Sequence, residues 1–258
     1  MASTTKNTGT RGIQVIARAA KVLRSLEGEP DGLSLREIAD KVGLARSTVQ
    51  RIVGALVDEQ LLIAATPNAR VKLGPSLIRL AASANIDVGE LLKPYMQDLS
   101  RLIEETVDLS VLKGKRAVFI NQVAARNRRL QAVSHIGDAF PLHCTANGKA
   151  LMATMAEPEL DKYLKTKLEK FTPNTITDVI GLITEIEDFQ QNLIAVDREE
   201  HTEGICAVGT SFKDPFGQVL ALSVPIPAHR FSQVESVVSQ ALLECRNAII
   251  LALGKQPS

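Results

Sequence analysis

Hydrophobic side chains in the first sixty positions recur at the three- and four-residue spacing of amphipathic helices. This spacing predicts helices over residues 14–27, 35–42 and 45–59. The second helix opens with a capping box, because the Ser34 hydroxyl and the Glu37 carboxylate can each accept a backbone N–H at its first turn. Three short helices of this kind, separated by glycine-containing turns, are typical of a helix-turn-helix.

A hairpin is predicted directly after the third helix. Two strand-like runs, residues 61–65 and 71–73, flank a turn-rich tip. Arg70 and Lys72 lie on this hairpin, where a wing meets the phosphate backbone or the minor groove of DNA. Three helices and a basic hairpin together predict a winged helix-turn-helix domain over residues 11–74.

The third helix has two different faces. One face is apolar at the i, i+3, i+4 and i+7 positions and is expected to be buried. The opposite face is polar, and we expect it to bind duplex DNA, with arginine pairing with guanine, glutamine with adenine, and hydroxyls with phosphates. An ordinary solvated helix face is the alternative interpretation. The predicted DNA-binding residues of the helix are Arg46, Ser47, Thr48, Gln50 and Arg51.

The rest of the chain predicts a mixed fold. A helical stretch that begins at Pro75 predicts a linker helix over residues 75–86. Helices and strands then follow in an order typical of an α+β sheet with helices on its faces. The predicted helices are residues 87–105 and 233–253 and one that begins near 146, and the predicted strands are residues 107–112, 117–123, 129–136, 209–213 and 219–225.

Composition and charge narrow the class of partner. The 258 residues are 45% hydrophobic and carry a net charge of +1. Residues 1–80 hold 12 Lys and Arg against 7 Asp and Glu, a net of +5, which leaves −4 for the remainder. All nine Phe and Tyr lie at or after Tyr95, so the basic segment cannot stack single-stranded bases. A basic segment without aromatic residues favours a double-stranded DNA partner.

The sequence carries neither an apolar run long enough to span a bilayer nor the apolar core of a signal peptide in its first ten residues. Its three cysteines have no zinc-site spacing. We therefore expect reduced thiols, a cytoplasmic location, no membrane partner, no metal and no cofactor.

Several short segments resemble the IclR-type family of bacterial transcription regulators. The resemblance implies an α+β protein in which an N-terminal winged helix-turn-helix is joined by a linker helix to a GAF-like effector domain. That domain, residues 87–254, would also form a homodimer or homotetramer, and the protein would bind operator DNA under the control of a small molecule. Residues 12–20 and 46–52 further resemble the branch that represses multidrug efflux pumps and binds aromatic compounds. The segments that carry the family resemblance are GLSL at 32–35, IA at 38–39, VGL at 42–44, RSTVQR at 46–51 and LGP at 73–75.

The resemblance also implies an effector site, and the corner at residues 146–148 suits one. The corner begins a predicted helix, where free backbone N–H groups favour an anion such as a carboxylate. The corner favours an acid, whereas Phe140 and Ile205 favour an apolar body, so an aromatic or carboxylate effector is expected. Cys206 stands one position ahead of the family's usual cysteine, and Pro225 replaces a frequent small polar residue. The implied contacts are Phe140, Ala146, Asn147, Asp197, Ile205, Ala207 and Ser223.

Each of these positions also has a purely structural interpretation. Asn147 and Asp197 could cap helices or pair locally, and Ile205 and Ala207 could simply fill the core. His201 lies among glutamates, and we interpret it as part of a solvated acidic helix end rather than as a metal ligand.

Two other functions stay open on the sequence alone. One is an enzyme that acts on small molecules, although no catalytic constellation is present and adjacent His143 and Cys144 point apart. The other is a redox sensor that works through Cys144 or Cys206. We expect a regulator without catalytic residues.

Overall fold

The computed structural model of the protein describes residues 14–63, 70–83, 87–125, 132 and 134–254. Contacts divide the chain between residues 86 and 87 into two compact units. The tip of the predicted hairpin and the first residues of the predicted DNA-binding domain lie outside the described residues. No helix in the described ranges combines the length and the apolarity needed to cross a membrane.

The N-terminal unit confirms the three predicted helices and the hairpin. Its helices bury one face each in a common core that includes Val22, Ile38, Val49 and Val53. The elements are α1 (Gln14–Arg24), α2 (Leu35–Val42), α3 (Arg46–Asp58), β1 (Leu62–Ile63), β2 (Lys72–Leu73) and α4 (Pro75–Ser83).

The capping box of α2 forms as the sequence predicts. Ser34 Oγ accepts from the Glu37 amide at 3.2 Å, and the Glu37 carboxylate accepts from the Ser34 amide at 2.7 Å. Gly43 ends the helix in the left-handed conformation, with φ of 67°. The capping box fixes where α2 begins, and Gly43 fixes where it ends and where the turn to α3 starts.

The hairpin is attached to the helices through a backbone pair. The Leu33 amide donates to the Val71 carbonyl at 3.0 Å, and the Val71 amide donates back to Leu33 at 2.7 Å. Gly32 adopts a positive φ beside this pair, and a Cβ atom there would collide with the Val71 carbonyl. The hairpin is thus held against the start of α2 by backbone contacts.

The C-terminal unit is built on a six-stranded antiparallel sheet. The elements are α5 (Val88–Ile103), β3 (Val107–Lys113), β4 (Arg116–Val123), β5 (Ala139–Pro141), α6 (Ala146–Met152), α7 (Glu157–Leu164), α8 (Val179–Asn192), β6 (Ala195–Arg198), β7 (Ile205–Lys213), β8 (Val219–Pro227) and α9 (Ala228–Ala252). The strand order is β5-β4-β3-β8-β7-β6.

Helices cover both faces of the sheet, as the α+β prediction requires. On one face, α5 and α9 pack on the strands through residues such as Leu92, Met96 and Leu242. On the other face, α6 and α8 pack through Leu151 and Leu182. Because β3 alternates, Val107, Leu109 and Val111 belong to the first core, whereas Asp108 and Ser110 face the α6 side.

The predicted strand over residues 129–136 is wrong in the part that is described. Ser134, His135 and Ile136 are not in a strand, and the strand of this region is β5. Ser134 instead accepts from the Gln122 side chain and donates to Asp108. Side-chain contacts and a turn at Gly137 therefore take the place of the predicted strand in this part.

Candidate functional site

The polar face of α3 is open to solvent. Arg46, Ser47, Gln50 and Arg51 are exposed and Thr48 is half-buried, while the opposite face is in the core. The two-sided pattern expected from the sequence is therefore present. Its exposed donors match the hydrogen-bonding groups of base edges and phosphates.

The first turn of α3 lacks a side-chain cap. Ala45 occupies the N-cap position and offers no side-chain acceptor to the first amides. Free amides and the positive end of the helix dipole favour an anion at this end, such as a phosphate.

The two basic residues of the hairpin differ in their surroundings. Lys72 is exposed. Arg70 is tied to its own unit, because its Nε donates to the Gly32 carbonyl at 2.9 Å and its Nη2 lies 3.4 Å from Glu37. Part of the Arg70 guanidinium thus holds the hairpin to α2.

A cavity of about 280 Å³ opens on the α6 side of the sheet. It lies between the strands, the start of α6 and the loop that follows β6. All seven residues of the expected effector site line it: Phe140, Ala146, Asn147, Asp197, Ile205, Ala207 and Ser223. The chain also contributes Asp108, Phe119, Ala132, Ser134, Thr145, His201, Thr202 and Pro225.

The start of α6 is rigidly built. Thr145 Oγ1 accepts from the Gly148 amide at 3.2 Å and donates to the Pro141 carbonyl at 2.8 Å. Asn147 does not cap the helix, because its Nδ2 donates to Ser110 Oγ at 3.0 Å. A Cβ atom at Gly209 would lie only 2.7 Å from the Ala146 backbone, so glycine lets α6 approach β7 this closely.

Two carboxyl groups face the cavity and are almost completely buried. Burial raises the pKa of Asp108 to about 6, although Gln122 and Ser134 donate to it at 2.7 and 3.1 Å. Burial raises the pKa of Asp197 to about 7, although its Oδ1 accepts from the Glu200 amide at 2.7 Å. The cavity lining that the structure describes contains no lysine or arginine.

Aromatic rings form one wall of the cavity. Phe119 meets Phe140 edge-on, with ring centroids 5.1 Å apart. The His201 ring stacks on Phe140 at 4.5 Å and on Phe171 at 5.0 Å. The interpretation of His201 as a solvated helix end is therefore wrong. Burial lowers the pKa of His201, so its ring is neutral near pH 7.

A buried ion cluster lies directly behind the cavity. Lys149 is fully buried, and its Nζ contacts Glu200 at 2.7 Å and Glu185 at 2.8 Å. Glu200 Oε2 is buried without a hydrogen-bond partner among the described residues, and burial raises the pKa of this carboxyl despite Lys149. Because the Glu200 amide donates to Asp197, the cluster is linked to the cavity lining.

The thiols are not activated. Burial raises the pKa of Cys144 to about 12, with Asp197 and Glu200 adding to the effect, and burial raises that of Cys206 to about 11. His143 is engaged elsewhere, with its ring nitrogens 3.3 Å from Tyr163 Oη and 2.9 Å from the Glu169 carbonyl. These environments do not favour a thiolate nucleophile or a redox sensor.

Sequence reasoning missed Asp108, Phe119 and His201 as cavity residues. The sequence did carry a signal for Asp108. Asp108 and Ser110 alternate with three aliphatic residues, so both polar side chains lie on the opposite face of a buried strand from the aliphatic ones. Phe119 and His201 gave no such signal, since their partners lie far along the chain.

Comparison with known proteins agrees with both units. The family model described as the IclR helix-turn-helix domain matches residues 15–63, and the model described as the bacterial transcriptional regulator IclR C-terminal matches residues 80–250. The HTH-type transcriptional regulator Rv1719 of Mycobacterium tuberculosis is 44% identical over 243 residues, 94% of this chain and 93% of that protein. The HTH-type transcriptional regulator TtgV of Pseudomonas putida is 36% identical over 244 residues, 95% of this chain and 93% of that protein.

A solved structure supports the same fold. The crystal structure of an IclR-type transcriptional regulator from Silicibacter sp. TM1040 aligns with a TM-score of 0.85 at 20% identity. The alignment covers 95% of this chain and 99% of that one.

The matched families and relatives are regulators rather than enzymes, which confirms the expectation of a non-enzymatic protein. The chain thus belongs to the IclR family of bacterial transcriptional regulators, with an N-terminal DNA-binding domain and a C-terminal effector-binding domain.

Proposed function

We propose that this regulator is a repressor that binds operator DNA through α3 and the hairpin and releases it when the cavity is occupied. Arg46, Gln50 and Arg51 would contact base edges in the major groove, while Ser47, Thr48 and Lys72 contact phosphates. The exposure of the α3 polar face and the uncapped N-terminus of this helix support these proposed contacts. Arg70 would contribute less, since Gly32 already occupies its Nε.

The effector we propose is a neutral aromatic compound that donates a hydrogen bond. The observation that carries this is a cavity with two buried carboxyls, an aromatic wall and no cationic side chain in its described lining. Among the described lining residues, a carboxylate effector would meet Asp108 and Asp197 without a counter-charge, so its binding to them would require an added proton. A hydroxyl or N–H group can donate directly to either carboxylate.

The size of the cavity agrees with a small ligand. An apolar cavity of about 150 Å³ is enough to hold benzene. At about 280 Å³, the present cavity accommodates one substituted ring. Contacts from Phe140, Ala146, Asn147, Ile205, Ala207 and Ser223 would then enclose it.

The active form we propose is a homodimer. In α4, Ile78 is 73% exposed and Leu80 is 59% exposed, and a second copy packed around this helix would bury them. We propose residues 11–74 as the DNA-binding domain, 75–86 as the linker and 87–254 as the effector-binding and oligomerisation domain, with support from the division between residues 86 and 87. Acting on bacterial operators requires a cytoplasmic location.

The experiment begins with selection of an operator from a pool of random DNA duplexes. Fluorescence anisotropy of the labelled operator then measures its binding to the protein. Phenol is then added, with anisole as the matched probe that lacks the donor. We expect phenol to release the duplex and anisole to act at least tenfold more weakly. His201→Ala should reduce the phenol response, whereas His229→Ala, a substitution of an exposed histidine on α9, should not.

Three outcomes would contradict the proposal. Failure to select any duplex at low ionic strength would remove the DNA-binding role of α3. Equal action of phenol and anisole would remove the role of the buried carboxyls. An unchanged response of His201→Ala would show that phenol acts outside the cavity.

A further inference from the structure

A second cleft of about 460 Å³ lies in the C-terminal unit. It is separate from the cavity lined by Asp108 and Asp197, which is called the effector cavity below. The second cleft is formed by the ends of α6 and α8, the last residues of β7 and the second half of α9. The two clefts share none of their described lining residues. Its described lining is Ala153, Thr154, Phe189, Gln190, Leu193, Ser211, Phe212, Lys213, Arg246 and Ile250.

Arg246 is the unusual residue of this cleft. It is only 5% exposed, yet among the described residues no carboxylate lies within ion-pair distance of it. Burial lowers the pKa of Arg246, and no acidic neighbour in the described part of the chain offsets this effect. A buried guanidinium without a counter-charge is costly, so it is retained only where something compensates it.

The guanidinium still has donors to offer. Its Nε donates to the Ser211 carbonyl at 2.8 Å, and its Nη1 donates to Asn247 Oδ1 at 3.2 Å. Nη2 has no hydrogen-bond partner among the described residues, and Arg246 lines the cleft. A ligand in the cleft could therefore accept a hydrogen bond from Nη2.

The remaining lining defines the chemistry of a ligand. Phe189, Leu193, Phe212 and Ile250 provide apolar walls, and the described lining contains no acidic side chain. A planar carboxylate can pair with a guanidinium through two parallel hydrogen bonds. An apolar body attached to that carboxylate would cover the walls.

We infer that this cleft is a second ligand site, which binds a small organic carboxylate with an apolar body through Arg246. Its charge preference is opposite to that of the effector cavity, where carboxyls line the wall. The inference is independent of the proposed repressor function, because it concerns binding to the C-terminal unit alone.

Isothermal titration calorimetry of the full-length protein tests the site, with benzoate as the probe and benzamide as its neutral counterpart. We expect benzoate to bind at millimolar or lower concentration and benzamide at least tenfold more weakly. Arg246→Gln should weaken benzoate binding at least tenfold. Arg101→Gln removes the same charge from an exposed position of α5 and should leave binding unchanged.

A second variant keeps the test decisive if Arg246→Gln does not fold. Gln190 is an exposed residue of α8 that lines the cleft, so Gln190→Glu is compatible with the fold. The new carboxylate would pair with Arg246 and should also abolish benzoate binding. The inference is overturned if wild type gives no heat with 50 mM benzoate, if benzamide binds equally well, or if the folded variants bind benzoate like wild type.

Discussion

The polar face of α3 and the cavity proposed to bind the effector are two candidate recognition surfaces of this regulator, and they present charge in opposite ways. On α3, Arg46 and Arg51 are exposed and hydrated. In the cavity, Asp108 and Asp197 are 1% and 5% exposed and are held by neighbouring donors. The first surface keeps positive charge in water, and the second keeps acidic groups away from it.

Because of this difference, we expect the two surfaces to respond differently to salt concentration and to pH. Exposed cations that bind phosphates release counterions, so their affinity depends steeply on salt. Buried carboxyls are screened little by salt, but their protonation changes near neutral pH because burial raises their pKa values. Operator binding should therefore follow ionic strength, and effector binding should follow pH.

The largest expected effect is that of salt on operator binding. A complex with about six phosphate contacts should lose affinity by about a thousandfold between 50 and 200 mM salt. Phenol binding over the same range should change less than twofold. Anisotropy for the duplex and calorimetry for phenol provide the two measurements, and similar salt slopes for both ligands would contradict the comparison.

Substitution of one base-contacting arginine should have the next largest effect. Arg51→Ala should weaken operator binding by about ten- to a hundredfold, because one bidentate arginine contact is worth about 1–3 kcal/mol. Arg101→Ala, which removes an exposed arginine of α5, is the matched control. Anisotropy with the selected operator gives the ratio, and equal affinities for the two variants would exclude α3 from the interface.

The pH of the buffer should change effector affinity by up to about tenfold. The carboxylate form of Asp197 is the better acceptor, and its pKa in the free protein is about 7. Phenol affinity should therefore be highest above pH 7 and fall as pH falls to 6. Asp197→Asn should flatten this profile, and calorimetry at several pH values tests it. A phenol profile that instead rises toward low pH would contradict hydrogen-bond donation from phenol to the Asp197 carboxylate.

The smallest expected effect is that of oxidation. Because burial holds the pKa values of Cys144 and Cys206 far above neutrality, few thiolates are available to react. Millimolar peroxide should change operator affinity by less than twofold. A large loss of binding in wild type that is absent from Cys206→Ser would restore the redox-sensor hypothesis.

The N-terminal unit could be predicted closely from the sequence because its determinants are local. The capping box at Ser34, the stop at Gly43 and the two faces of α3 each depend on residues within a few positions. Local hydrogen bonds and helical periodicity decide such features, and both can be seen in the order of residues.

The cavity could be predicted only in part because its contacts join distant segments. The resemblance supplied seven positions that share the cavity, whereas Asp108 and the stacking of His201 on Phe140 and Phe171 were missed. The strand predicted over residues 129–136 failed in its described part for a similar reason, since Ser134 is positioned by Asp108 and Gln122 rather than by its own neighbours. Local strand propensity cannot report such tertiary contacts.

The buried Lys149 is the centre of an ion-pair network that extends from directly behind the cavity lining to the surface of α8. Glu200 touches Lys149 through its carboxylate and Asp197 through its amide, while Glu185, on the other side of Lys149, reaches the surface of α8. A proton gained or lost at Asp197 therefore alters the potential felt by every member of this row. The charge of the cavity lining and the charges of the Lys149 cluster therefore influence one another.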